Sequence, residues 1–178
     1  HEGKADEALT VFKRAEKINT KVLFDKLIPL AISSCYWVLG DIDKAIETIE
    51  ELQHKFNYIN PNTLTTLAYF YLLKNEFDKA EELTNQALSD NKEYAPAWDN
   101  LGQIYYVKGD NIKAKEYFEK ALQFREGMTE SLYYMGLISK AEGNKIKAKE
   151  YFEKANSGYI SALSTVKRAD IEKELSEL

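Results

Sequence analysis

The stretch Lys113-Ala-Lys-Glu-Tyr-Phe-Glu-Lys-Ala121 recurs letter for letter from Lys147 to Ala155, displaced by 34 residues. The displacement extends into the flanks. Trp98 maps onto Leu132, Leu101 onto Met135, Gly102 onto Gly136 and Gly109 onto Gly143. A fixed period of that size, carrying two helix-spaced apolar patterns per unit, marks a stacked repeat array. Arrays of this kind offer extended surfaces in place of closed active-site pockets.

Working outward, the interval defines units at 95–128 and 129–158 and, one step back, at 61–94. The last of these carries Leu64, Leu67, Ala68 and Tyr71 on a first helix, then Ala80, Thr84 and Ala87 on a second. A one-residue insertion gives a further, degenerate unit at 26–60, with Ile32, Ser33 and Tyr36 followed by Ala45, Ile49 and Leu52. Residues 1–25 match only the second half of a unit, through Gly3, Ala8, Phe12 and Ala15, and then a linker. Turn signals fall at one phase throughout: Gly3-Lys4, Gly40-Asp41, Asn75-Glu76, Gly109-Asp110 and Gly143-Asn144. Glycine or asparagine there can take the left-handed conformation that ends a helix. Asn60-Pro61 reads as an N-cap followed by proline in the first turn, and Pro96 suits the same place. Pro29 predicts a helix that starts near Leu27 or Ile28, or one that is kinked. Asn156-Ser157-Gly158 reads as a break. Residues 159–178 then read as a final helix, with Ile160, Leu163, Val166, Ile171 and Leu175 on one side and a charged, solvating outer face.

Composition narrows the function classes. Of 178 residues, 44% are hydrophobic and 30% charged, which suits a folded chain. The formal charge of −5 repels polyanions at long range. The lysines at 113, 115, 120, 145, 147, 149 and 154 are interleaved with Glu116, Glu119, Glu150 and Glu153, so no nucleic acid partner is expected. Cys35 is the sole cysteine, which excludes an intramolecular disulfide and suits a buried thiol in a cytoplasmic protein. No apolar run approaches the roughly 20 residues of a membrane helix, so no membrane contact is expected from this segment. His1 and His54 have no neighbour at metal-ligand spacing, and no phosphate-cradling loop is present. Metal, cofactor and catalytic site are therefore all expected to be absent. Many lysines against only Arg14, Arg125 and Arg168, with frequent Ile, Asn and Tyr, suggest a bacterial source. Because it starts within a repeat, the chain reads as a fragment of a longer protein.

Trp98-x-x-Leu101-Gly102-x-x-Tyr105, followed by Ala114-x-x-x-Phe118 and the small Ala121, resembles the tetratricopeptide repeat consensus. The resemblance covers nearly the whole chain, as a half repeat, four full repeats and a terminal helix. It departs at Glu126, where the family often has proline, and in having tryptophan at the Trp98 position of only one repeat. It implies an all-α fold: an α-solenoid, a right-handed superhelix of stacked antiparallel helix pairs closed by a C-terminal capping helix. It further implies that the Trp98 ring is buried.

In that family the first helix of each repeat lines a concave groove through its second, fifth, ninth and twelfth positions. Carried over, the lining is Leu30, Ser34 and Trp37 in the first full repeat, and Asn62, Thr65, Tyr69 and Leu72 in the second. The third supplies Asp99, Gln103 and Tyr106, and the fourth Glu130, Tyr133, Leu137 and Lys140. The resemblance thus implies a non-catalytic protein–protein interaction module that takes a partner's peptide or helix in this groove. Trp37 and Tyr106 are equally suited to packing across neighbouring helices. Members that clamp a chaperone's terminal carboxylate use lysine, asparagine and arginine at set groove positions. Asn100, counted with the expected lining, alone matches in kind here, so that subtype is not expected. The alternative is a self-associating scaffold, pairing through Leu9, Val11, Phe12 and Ile18 of the N-terminal half repeat.

Overall fold

At Gly40, Asn75, Gly109 and Gly143 the backbone adopts φ values of +79°, +62°, +82° and +78°. These left-handed residues stop one helix and turn the chain back into the next. The following residue then caps the new helix. Asp41, Asp110 and Asn144 accept hydrogen bonds from the backbone N–H of Lys44, Lys113 and Lys147. Glu76, at the equivalent place, makes no side-chain cap.

The computed structural model describes residues 2–18 and 24–178. Among them the elements are α1 (Glu2–Ile18), α2 (Phe24–Val38), α3 (Ile42–Phe56), α4 (Pro61–Leu73) and α5 (Phe77–Asp90). They continue as α6 (Ala95–Val107), α7 (Asn111–Phe124), α8 (Thr129–Ala141), α9 (Lys145–Ser157) and α10 (Arg168–Ser176). Helices α2 to α9 pack as consecutive pairs, and α1 lies against α2. The second helix of each pair touches the first helix of the next, while α4, α6 and α8 touch in turn. This is an α-solenoid.

The identical sequence stretches make identical contacts. A Cβ placed on Gly102 would lie 2.5 Å from the Phe118 ring, and one on Gly136 would lie 2.5 Å from the Phe152 ring. Each ring therefore rests on the bare backbone of its partner helix, and both rings are fully buried. Ala114, Ala121, Ala148 and Ala155, also fully buried, let the remaining turns approach.

The structure corrects several expectations. Residues 3–4 lie inside α1 and do not form a turn. Helix α2 begins at Phe24 and carries Pro29 in its interior. One ring there removes a single N–H donor, which a helix otherwise anchored by buried Ile28, Ile32 and Cys35 tolerates. Trp98 is only half-buried. Its indole N–H donates to the Lys92 carbonyl at 2.8 Å, its ring stacks on Tyr117 at 5.9 Å, and the Lys120 ammonium sits 4.8 Å from its centroid. Cys35 is buried, which pushes its thiol pKa up. His54 is exposed, and His1 lies outside the described residues.

The largest departure is at the C-terminus. The last helix is confined to α10, and residues 159–167 are not helical. Gly158 is extended at φ −79° and ψ 170°. The Ser161 and Ser164 hydroxyls accept the backbone N–H of Leu163 and Val166, competing with helical bonding. Val166 and Ile171 are the buried anchors, packed with Leu132, Ala148, Phe152 and Ala155.

Phe118→Ala is expected to lower stability by about 3–5 kcal/mol, and the half-exposed Trp98→Ala by about half as much. Gly102→Ala, which forces the Phe118 ring to move, should cost about 1–3 kcal/mol. Urea denaturation checks the order. A Trp98 loss as large as that of Phe118 would contradict the packing described.

Candidate functional site: the inner wall

The first helices of successive pairs, α4, α6 and α8, share one wall, and residues 159–164 run across it from the opposite side. Together they enclose a cavity of about 330 Å³. Its floor includes Asn62, Thr65, Tyr69, Asp99, Asn100, Gln103 and Glu130, seven of the residues expected to line a groove. Tyr159, Ser161, Leu163 and Ser164 close it from above.

Several floor residues serve the helices before any partner. Asn100 donates its amide to the Thr65 carbonyl at 2.8 Å, joining α6 to α4. Ser131 donates to one carboxylate oxygen of Asp99, joining α8 to α6, while Gln103 donates to the other at 2.7 Å. Thr65 turns its hydroxyl to the Pro61 carbonyl of its own helix, at 2.8 Å. Ser34 does the same to Leu30, at 2.9 Å. Asn100, the single residue matching the carboxylate-clamp pattern, has its buried amide committed to the neighbouring backbone.

The expected residues outside the cavity fall into two groups. Trp37 crosses to the next pair, with its ring 5.8 Å from Phe70 and 6.1 Å from Tyr69. Leu30 packs with the same cluster, and Leu72 is buried within it. Tyr106 lies 4.9 Å from the Tyr134 ring of α8. Tyr133 and Leu137 pack towards the C-terminal cluster that contains Ile171. Lys140 pairs with Glu174 at 2.7 Å and Glu177 at 3.0 Å. The α8 end of the expected lining is thus engaged by α10.

The inserted segment is held by specific contacts. The Trp37 indole N–H donates to the Ala162 carbonyl at 3.2 Å. The Tyr69 hydroxyl accepts the Thr165 backbone N–H at 3.0 Å and donates to the Thr165 hydroxyl at 3.2 Å. Thr129 donates to the Tyr159 carbonyl at 2.8 Å. Leu163 packs on the cluster formed by α2 to α6. Sequence reasoning placed Leu163 on a helix and so missed this role. The available signal was the hydroxyl-rich run Ser161 to Thr165, which keeps no helical turn chemistry.

The charged residues of the cavity lining are Asp99, Glu130 and Arg125. Burial, reinforced by the charge of Glu130, pushes Asp99 up to about 7, and the bonds from Ser131 and Gln103 only partly offset this. Burial likewise pushes Tyr69 up. Tyr106 and Tyr133 are raised by burial first and then by Glu174. On the outer faces the lysines are interleaved with acids, as in Lys120–Glu116 at 2.8 Å and Lys115–Glu142 at 3.5 Å. Among the described residues no helix is long and apolar enough to cross a membrane, and no cluster of three or more His, Cys, Asp or Glu is placed to hold a metal.

Tetratricopeptide repeat models match residues 95–127 and 129–157. The chain is a tetratricopeptide repeat protein. Its fold is similar to TTC0263, a thermophilic TPR protein of Thermus thermophilus, at 22% identity and a TM-score of 0.76, over 98% of this chain and 90% of that one. It is also similar to MamA, at 22% identity and a TM-score of 0.62, over 99% and 93% of the two chains. PilF of Pseudomonas aeruginosa aligns at 17% identity and a TM-score of 0.68, over 98% and 81%. At these identities the likeness is one of fold. No curated protein matches in sequence. The tetratricopeptide repeats make the chain, in general terms, a protein–protein interaction module.

Asp99 provides a pH test of this wall. Its folded pKa of about 7 stands above the ordinary 3.8, so folding favours its protonated form. The associated stability is fully present below about pH 4 and is lost as pH rises through about 7. Asp99→Asn should therefore gain on the wild type by roughly 1–3 kcal/mol between pH 5 and pH 8. Denaturation at the two pH values measures this, and a difference independent of pH would contradict the assigned burial.

Proposed function

We propose that the inner wall binds a non-helical peptide segment of a partner protein, as the working surface of a non-catalytic interaction module. The observation that supports this is residues 159–165 themselves. They cross the wall without helix, using main-chain carbonyl and N–H groups that meet Trp37 and Tyr69. Aromatic side chains with a polar tip suit such a role, because they give contact area and a directed hydrogen bond together. Main-chain recognition plus one apolar anchor is a general way to hold an extended chain. The lining proposed to act includes the exposed Asn62, the partly exposed Trp37 and Glu130, and the Tyr69 hydroxyl. Asp99, Asn100 and Gln103 support the wall's shape.

Peptides selected from a display library on the wild-type protein test the reading. Asn62→Trp, which fills the cavity mouth, should weaken their binding by about tenfold, or roughly 1.4 kcal/mol. Ile146→Ser, at a 76%-exposed position of α9, should leave it unchanged. Equal affinity for both variants would remove the wall from the account.

One observation favours self-association as a second reading. Val11 and Ile18 on α1 are 63% and 71% exposed, whereas Leu9 and Phe12 are partly covered. Light scattering on wild type and Ile18→Lys decides it: a dimer lost on substitution supports pairing, and a monomer in both ends it.

A further inference from the structure

Resting on the groove reading above, we propose that residues 159–167 are a built-in competitor that occupies the wall in place of a partner. The partner is accordingly an uncharged segment that turns about a leucine-like side chain, followed two residues later by a main-chain N–H and a hydroxyl. That is the chemistry this chain presents to its own wall. Ala162 offers the carbonyl to Trp37, Leu163 packs on the α2 to α6 cluster, and Thr165 offers N–H and hydroxyl to Tyr69. Between Gly158 and Val166 the chain bears no charge, so it forms no ion pair with the cavity's charged residues Asp99, Glu130 and Arg125.

The occupant is lightly held and firmly tethered. Tyr159 is 79% exposed, and Ser161, Ala162 and Thr165 are exposed as well. Its turn is closed by its own groups, with the Ser164 N–H donating to the Ser161 carbonyl at 3.0 Å. The anchors lie outside the wall-crossing part. The Arg168 guanidinium donates to the Gly158 carbonyl at 2.8 Å, to Ala155 at 3.3 Å and to the Asn156 carbonyl, stapling the base of the loop. Val166 and Ile171 are buried, and α10 is tied to Lys140. The loop can leave the wall while α10 stays in place. A tether this short sets an effective concentration on the order of millimolar, so even a weak segment keeps the site filled. A partner's apparent affinity is then multiplied by the fraction of time the wall is open.

The probe is a fluorescein-labelled synthetic peptide covering residues 159–167 of this chain, read by fluorescence anisotropy. The release variant, made in the whole 178-residue chain, is Leu163→Asp with Thr165→Pro, which removes the Leu163 contact and the N–H donor. Thr165→Pro alone is the milder second variant, and circular dichroism checks that both fold. The release variant should bind the peptide at least about tenfold more tightly than wild type if the wall is open about a tenth of the time. Adding Tyr69→Phe to it should reverse the gain. Equal, measurable binding by wild type and both variants overturns the competition while leaving the groove reading standing. No binding by any of them overturns both. A wild-type dimer that becomes monomeric in the release variant would show the segment exchanged between copies, and would overturn the intramolecular form.

Discussion

A phenyl ring lying on a helix backbone sets the geometry of this molecule. Phe118 rests on Gly102, and Phe152 rests on Gly136, at distances that leave no room for a methyl group. That contact fixes how closely the two helices of a pair approach, and the left-handed residue between them fixes the reversal. Repetition every 34 residues then places the first helices side by side. The inner wall is a consequence of this spacing. No single unit buries its apolar face alone, so stability resides in the interfaces between neighbours.

Polar side chains refine the wall. Asn100 to the Thr65 carbonyl, and Ser131 to Asp99, link three successive pairs through buried hydrogen bonds. Buried polar groups that are fully partnered specify register, because slippage would leave them unsatisfied. Asp99 is buried at the centre, and that burial, with the like charge of Glu130 second, raises its pKa against the two neutral donors that lower it. The groups proposed to meet a partner lie at the edges: the Trp37 and Tyr69 polar tips, Asn62 and Glu130. The proposed recognition relies on shape and main-chain contact more than on charge.

The fold was readable because its determinants are local and repeated. Gly40, Asn75, Gly109 and Gly143 recur at one phase, and each takes the left-handed conformation that its residue type allows. Gly3 shares the residue type but lies within α1, since glycine permits a turn without requiring one. The wall was partly readable. Position-by-position transfer found Tyr69, Asp99 and Gln103, which do share a cavity. It could not separate residues that face a partner from residues that bond to the next helix, as Asn100 does. Residues 159–167 were misread because apolar spacing alone resembles a helix there. What decides them is a pair of serine side chains and a contact between Trp37 and Ala162 across 125 positions of sequence, which no local period encodes.

The occupied wall is the claim on which the functional account turns. The direct measurement is a nuclear Overhauser spectrum of the Trp98→Phe chain with labelled tryptophan, in which Trp37 is the one remaining indole. Cross-peaks from the Trp37 indole N–H to Ala162 and Leu163, and from the Tyr69 ring to Thr165, are the predicted result. Random-coil shifts for residues 159–167, with no cross-peak to Trp37 or Tyr69, would contradict it.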